Sequence, residues 1–586
     1  MAMPSPDPPL TAVMAVIRRQ APALIGFSLL ANLLLLASAI YMLQIYDRVL
    51  SSSSLDTLVW LTVMALAAIA IYGLLEQARR LILGRIGAWL ESELSGAVIR
   101  RAMAARLAGT GVEAGLKDVA DLRGFIAGDG ILAFLDAPWT PIFIAFIWLA
   151  HPALGGLATI GALVLFLGAL ANDLLTRAQQ QTATASLRRS QLTAQQYVDG
   201  AETLSPLGMT GTILAQWQEQ QRRISSEQRR LAEMTAAILN ASRAVRLGLQ
   251  VMILGLGAYY VLQGQLTSGG MIAASIILSR ALAPIERSIG AWRRMVDARA
   301  ARRNLARLFE ALPPEAESVR LPRPSGRLVV QNLHYAAPRS GDPILRNLSF
   351  DIEPGRTCAI IGPSGSGKST LCRLLVGAWK PSHGHVRLDG AEIFAWDPED
   401  LGQYLGYLPQ QVELFPGTVA ENIARLGPVD SAKVIAAARL AGVHEMILRL
   451  PAGYETDVGQ QGGRISLGQR QRLGLARALF GDPSLIVLDE PNSNLDSEGD
   501  QALIRALAHL KQQGRTVVIV THQAAALQTA DKILMLAEGA VAAFGDRDTV
   551  LATIASGRRR TVAASAVAAG PAELTPVVRP TLVSSE

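Results

Sequence analysis

The stretch Gly362-Pro363-Ser364-Gly365-Ser366-Gly367-Lys368-Ser369-Thr370 follows a β-like apolar run, Thr357 to Ile361, and opens a helix-like one, Leu371 to Val376. A G-x-x-x-x-G-K-[ST] loop between a strand and a helix cradles a polyphosphate. Its glycines let backbone N–H groups curl around the oxygens at a helix N-terminus, the lysine reaches the β/γ-phosphates, and the serine hydroxyl holds Mg²⁺. A glycine-rich turn with a chance lysine is the bland alternative, and the strand-to-helix setting argues against it. All nine residues are therefore candidates for phosphate binding, with Ser369 also a metal ligand.

Further along the chain, Leu485-Ile486-Val487-Leu488-Asp489-Glu490 reads as a buried strand ending in two carboxylates. That ending suits Mg²⁺ on Asp489 and a water-activating base on Glu490. Val517-Val518-Ile519-Val520-Thr521-His522 is another apolar strand, ending in a histidine. A lone histidine at a strand end is usually a polar cap, but its place after the carboxylate pair favours a γ-phosphate contact. Gln410, in Tyr407-Leu408-Pro409-Gln410, is by itself an ordinary loop glutamine.

Ile465-Ser466-Leu467-Gly468-Gln469-Arg470-Gln471-Arg472 resembles the signature motif of ABC ATPases, usually Leu-Ser-Gly-Gly-Gln. The resemblance implies that Ser466, Leu467, Gly468 and Gln469 complete the nucleotide site of another subunit. It makes Gln410 the Q-loop residue, catalytic and a Mg²⁺ ligand, His522 the switch histidine, and Asp496 the D-loop aspartate. The chain departs from the pattern with Leu467 at the first of the two glycines and Ile465 at the leucine, which leaves the hydrolysis rate open. ABC exporters usually place an aromatic just before the proline of their first strand, and the matching position here is Ala337. Tyr335, on the same face of a strand, is the candidate to stack on adenine, with a purely structural strand tyrosine as the alternative.

Half of the 586 residues are hydrophobic and the mean hydropathy is +0.28, unusual for a soluble enzyme. Six apolar runs approach the ~20 residues needed to cross a bilayer: roughly Leu24 to Leu43, Thr57 to Leu75, Ile131 to Ala150, Pro152 to Ala171, Leu247 to Gln263 and Gly270 to Ile285. Buried helices of a large soluble fold would be the alternative, but Leu157 to Leu170 carries no charge on any face. Arginines cluster after the second, fourth and sixth runs and before the third and fifth, while the opposite connections hold only Arg48. By the positive-inside rule both termini and the two long loops, Glu76 to Gly130 and Asn172 to Arg246, are cytoplasmic. These flanking arginines largely explain the net charge of +7, so no nucleic-acid partner is required. Helix-like periodicity in the loops predicts that spans two to five extend into the cytoplasm, with Pro206 to Trp217 as a short transverse helix at one tip.

The expected fold is an all-α six-helix transmembrane domain fused to an α/β P-loop ABC-type nucleotide-binding domain. Its segments are an N-terminal segment 1–22, a membrane domain 23–311, a proline-rich linker 312–326, an ATPase domain 327–557 and a disordered tail 558–586. Too few residues precede the first span for a folded accessory domain, and a cleavable signal peptide is not expected. Cys358 and Cys372, the only two cysteines, read as core thiols in a reducing cytoplasm. Asp136 stands inside an apolar run followed by Pro138 and Pro141. It is either functional within the membrane or merely at its cytoplasmic edge.

Tyr41-Met42-Leu43-Gln44-Ile45-Tyr46-Asp47-Arg48-Val49-Leu50, Leu122-Arg123-Gly124-Phe125, Leu135-Asp136-Ala137-Pro138-Trp139-Thr140-Pro141-Ile142-Phe143 and Asp489-Glu490-Pro491-Asn492-Ser493-Asn494-Leu495-Asp496 are similar to type I secretion ABC exporters of the branch that secretes proteases and lipases. That resemblance implies a multi-pass bacterial inner-membrane protein, ATP and Mg²⁺ as cofactors, and a homodimer in the lipid bilayer. It further implies a periplasmic membrane fusion (adaptor) protein and an outer-membrane channel as partners, and a secreted polypeptide with a C-terminal signal as cargo. Export of lipid, drug or polysaccharide through the same architecture is the runner-up. A soluble ABC ATPase of repair or translation would need no bilayer.

Overall fold

The computed structural model describes residues 10–112, 114–312, 321–337, 341–459 and 463–554. Most of the expected linker, Pro338, the 558–586 tail and the first nine residues lie outside that set. The chain divides into two compact units at Leu312 and Pro313.

The first unit is helical. Helix α1 (Leu10–Gln44) runs through a π-helical turn at Ile45–Val49 into the short α2 (Leu50–Ser52). Then come α3 (Leu55–Leu107), α4 (Leu116–Ile126), α5 (Asp129–Asp136), α6 (Thr140–Ala150), α7 (Pro152–Asp199), α8 (Ala201–Leu204), α9 (Thr210–Leu262) and α10 (Ser268–Glu310). Among the described residues six helices are long and apolar enough to cross a membrane, and they coincide with the six runs read from the sequence. Span three is α5 plus α6, joined by a 3₁₀ turn at Ala137–Trp139 where Pro138 and Pro141 interrupt the regular ladder.

Two expectations about the loops need correction. Spans two, four and five do continue as helices of 53, 48 and 53 residues, but span three does not: a break at Ala127 and Gly128 separates α4 from α5. Nor is Pro206 to Trp217 a transverse helix. The short helix there is α8, before the proline, and Pro206 has no N–H to extend it. Gly208, at φ 66, takes the left-handed conformation that closes the turn, with the Met209 N–H donating to the Leu204 carbonyl at 3.0 Å. Residues 210–217 are the first turns of α9.

Polar ties join the spans at both ends. In the π-helical turn, Asp47 accepts from the Thr267 hydroxyl at 2.6 Å and from the Gly269 N–H at 2.9 Å, so the end of span one caps the start of span six. Further down, Arg79 is 1% exposed and pairs with Asp136 at 2.7 Å. The same carboxylate oxygen accepts from Ser28 at 2.7 Å and Asn32 at 3.0 Å. Asp136 is therefore buried inside a polar cluster of α1, α3 and α5. The apolar window of α3 has no buried residue, and burial along this helix begins at Arg79.

The second unit is built on a six-stranded sheet in the order β10-β9-β3-β8-β7-β6. Its strands are β3 (Thr357–Ile361), β6 (Leu405–Leu408), β7 (Leu485–Asp489), β8 (Thr516–Val520), β9 (Lys532–Ala537) and β10 (Ala540–Asp546), and only β10 is antiparallel to its neighbour. A four-stranded antiparallel sheet, β2-β1-β4-β5, is formed by β1 (Leu328–Ala336), β2 (Pro343–Ile352), β4 (His383–Leu388) and β5 (Ala391–Glu392). The helices are α11 (Lys368–Leu375), α12 (Pro398–Tyr404), α13 (Val419–Ile423), α14 (Ser431–Leu440), α15 (His444–Leu448), α16 (Leu467–Leu479), α17 (Ser497–Gln512) and α18 (Ala524–Thr529).

Strands β7 and β8 read as unbroken apolar runs because both faces are covered. Cys358, Ile360, Val487 and Val518 enter one core while Ala359, Ile486, Leu488 and Ile519 enter the other. Both cysteines are fully buried, and burial pushes the Cys358 thiol up to about 12, which keeps it protonated and inert.

Candidate functional site

Neighbouring parallel strands put their C-terminal ends side by side, and an open α/β sheet binds ligands at that edge. Here β3, β8 and β7 are adjacent, Ile360 pairing with Val520 and Val520 with Asp489. The loop after β3, the two carboxylates at the end of β7 and His522 after β8 therefore emerge at one edge. The Glu490 N–H donates to the Val520 carbonyl at 3.2 Å, which fastens the carboxylate pair to the strand that carries the histidine.

The loop itself needs its glycines. Gly362 sits at φ 153, and a Cβ there would come within 2.3 Å of the Leu536 carbonyl oxygen. Lys368, Ser369 and Thr370 form the first turn of α11, whose free N–H groups face the loop. Lys368 is folded inward, its Nζ donating to the carbonyls of Gly362 at 2.8 Å and Pro363 at 2.9 Å. Two buried polar atoms, Ser366 Oγ and Asp489 Oδ1, have no hydrogen-bond partner among the described residues. Orphaned groups of this kind call for an explanation, and phosphate oxygens and a divalent cation supply one. Burial raises the Asp489 carboxyl above its ordinary range, opposed by a hydrogen bond from Ser369 and reinforced by the charge of Glu490. A bound cation would remove that penalty.

Glu490 is held at φ 51, a left-handed conformation that costs a non-glycine residue of order 1 kcal/mol or more and marks functional positions. Its Oε2 accepts from Gln410 Nε2 at 3.0 Å, so the structure brings together two residues eighty positions apart. His522 is exposed at the sheet edge, free to meet a ligand.

The signature segment starts α16. Ser466 accepts from the Gln469 N–H at 3.3 Å while the Gln469 side chain accepts from the Ser466 N–H at 3.1 Å, a capping box. The Ser-x-x-Gln spacing could have disclosed this local role without any family knowledge. Leu467 occupies the first helical position without a left-handed backbone, so replacing glycine brings no local strain; its side chain is 58% exposed. Asp496 caps α17 through the Gly499 N–H at 2.9 Å and pairs with Arg472 of α16, a tie that sequence reading missed.

Tyr335 takes the structural alternative. It is 6% exposed, and its ring stacks on Trp379 at 5.2 Å with 14° between planes, so it offers no open face to an adenine. Strand parity placed Tyr335 on the wrong one of two available faces. Tyr335→Ala is expected to destabilise the ATPase unit by about 3 kcal/mol while leaving ATP affinity at the wild-type value. Thermal unfolding and nucleotide titration of the same sample check both halves.

A six-span helical unit fused to this phosphate loop, carboxylate pair and signature helix defines an ABC exporter. Residues 22–282 match the ABC transporter transmembrane region and residues 345–493 the ABC transporter family. The chain is 40% identical over 532 residues to the type I secretion system ATP-binding protein PrsD of Rhizobium meliloti (strain 1021), covering 90% of this chain and 91% of the relative. It is 29% identical over 541 residues to the toxin RTX-I translocation ATP-binding protein of Actinobacillus pleuropneumoniae, covering 90% and 75%. A solved bacterial Atm1-family ABC exporter with ATP bound shares the fold, with a TM-score of 0.79 at 22% identity, covering 95% of this chain and 100% of that one. The chain belongs to the type I secretion ATP-binding proteins, and its chemistry is ATP hydrolysis coupled to transport.

Proposed function

We propose that two copies of this chain form a multi-pass exporter in the bacterial inner membrane, with the ATPase units and both termini cytoplasmic. Its cargo is an unfolded polypeptide, passed on to a periplasmic adaptor and an outer-membrane channel. The observation that carries this reading is the edge where Lys368, Asp489, Glu490 and His522 meet, in a chain similar along 90% of its length to a type I secretion protein. The secretion and translocation named for the relatives is the reason to choose polypeptide over lipid, drug or polysaccharide.

In this reading each ATP lies between the Gly362 to Thr370 loop of one subunit and the Ser466 to Gln469 segment of its partner. Lys368 leaves its two carbonyl partners for the β/γ-phosphate oxygens. Glu490 takes a proton from the attacking water, Gln410 orients that water from its position on Glu490, and His522 holds the γ-phosphate. Mg²⁺ held by Ser369, Asp489 and Gln410 would neutralise charge on the phosphate oxygens; its chelation is expected to abolish turnover while leaving the fold intact by circular dichroism.

Leu467 tunes the rate. An exposed leucine where the partner's phosphates approach must be buried or pushed aside at each closure, so Leu467→Gly is expected to raise ATP turnover severalfold, read as phosphate release by the purified protein. Deleting the gene and comparing the proteins released into the medium tests the cargo. Loss of one or a few secreted polypeptides is the expected result, whereas an unchanged set with altered surface lipid or polysaccharide overturns it.

A further inference from the structure

Arginines abound around the spans, and most of those that face other helices are neutralised. Arg79 pairs with Asp136, Arg80 with Glu76 and Asp129, Arg123 with Glu91, and Arg243 and Arg246 both with Glu286. Helix α10 carries several exceptions, three of them in register. Arg280, Arg287 and Arg294 are exposed, and none has a carboxylate within ion-pair distance among the described residues. Arg287 donates only to the Ala283 carbonyl of its own helix, at 3.4 Å.

Their spacing is seven, two helical turns, so all three lie on one face of α10. Gly290, between the second and third, is also exposed, while Ala291 on the same side packs toward Gly130 and the Arg294 guanidinium lies beside Gly128 at the α4–α5 break, so α4 and α5 cover that face only in part. Glu286 next to Arg287 points elsewhere, to α9. Arg280 lies within the apolar stretch of span six, between Leu278 and Leu282, where an unpaired guanidinium is costly against hydrocarbon and is tolerated facing water or an anionic partner. From Arg280 to Arg294 the rise is about 21 Å, which starts inside the membrane and ends in the cytoplasm.

We propose that this arginine face of α10 lines the route of the exported polypeptide and binds carboxylate-bearing stretches of it, which makes acidic, unfolded segments the preferred cargo. A layer of lipid phosphates sits at one depth and cannot occupy a ladder of that length. An extended chain covers it with roughly six residues at about 3.3 Å each. Guanidinium groups suit the task because they remain charged at any cytoplasmic pH and bind carboxylates in a planar fork. At water-exposed sites each pairing is weak, so the ladder holds a passing segment without trapping it.

The proposal rests on the polypeptide-export reading, and the test separates the two. Full-length protein in nanodiscs is titrated with fluorescein-labelled 12-residue peptides, oligo-glutamate and oligo-glutamine, in phosphatidylcholine alone and with phosphatidylglycerol added. R280Q/R287Q/R294Q is expected to weaken oligo-glutamate binding about tenfold, with oligo-glutamine unaffected. The lysine counterpart R280K/R287K/R294K recovers most of the loss, and R222Q/R223Q/R229Q, which removes the same charge from exposed positions of α9, keeps wild-type affinity. Equal oligo-glutamate affinity in wild type and the α10 variant overturns the ladder while leaving polypeptide export standing. So does a loss confined to phosphatidylglycerol discs, which would assign the arginines to lipid. Failure of the wild type to bind either peptide removes the polypeptide reading and the ladder together.

Discussion

Glu490→Gln lowers ATP turnover by at least about a hundredfold, the typical contribution of a positioned general base, while ATP still binds. The amide keeps the size and the hydrogen bond that Glu490 makes with Gln410 at 3.0 Å, but it cannot take a proton from water. The left-handed backbone at this position is unchanged by the substitution, so folding is not at issue. Since ATP is the bond between the two subunits in the proposed dimer, a variant that binds without cleaving accumulates in the closed state. Size-exclusion chromatography of the isolated ATPase residues is not required to see this: cross-linking across the two-fold in the full-length protein, with and without ATP, reports it directly. Wild-type turnover in Glu490→Gln removes the base assignment. A variant with no turnover that also fails to bind ATP points instead to a damaged phosphate loop.

The layout of the candidate nucleotide site was legible because its parts are local. Gly362 to Lys368 is a loop whose backbone conformation demands glycine, and β7 and β8 advertise themselves as apolar runs ending in functional groups. What the sequence could not disclose is pairing across distance. Nothing in Tyr407 to Gln410 says that the Gln410 amide will rest on Glu490, and Arg472 carries no sign that it holds Asp496. The six spans were legible from hydropathy because the bilayer selects for length and composition. Their cytoplasmic continuations were harder to read. Helical periodicity runs unbroken through Thr210 to Trp217 and gave no reason to separate a transverse helix from α9, while the break at Gly128 hides in a sequence that is helical on either side. Tyr335 shows a third limit: alternation tells which residues share a face, but not which face meets the ligand.

Asp136 shows the same limit within the membrane, and there the missing partner decides the energetics. Arg79 lies 57 residues away, yet its guanidinium meets Asp136 at 2.7 Å with both side chains almost wholly buried. Removing one member of a buried pair strands the other as an uncompensated charge, at roughly 3–5 kcal/mol, whereas replacing both by apolar groups of similar volume is often neutral or stabilising. Arg79→Ala and Asp136→Ala are therefore each expected to lower the thermal midpoint of the detergent-solubilised protein strongly, and Arg79→Met combined with Asp136→Leu to recover most of it. Arg79→Ala is the more severe single change, because it leaves the Asp136 carboxylate with no cation and only the Ser28 and Asn32 donors, whereas Arg79 keeps Glu76 at 3.2 Å when Asp136 is removed. Export separates a structural tie from a working one. If the Met/Leu pair restores both stability and secretion, the charges only fasten α3 to α1 and α5 next to its unburied apolar window. If it restores stability while ATP hydrolysis proceeds without export, the ion pair itself must open during the cycle. Single variants as heat-resistant as the wild type would mean that the pair is not buried in the folded protein at all.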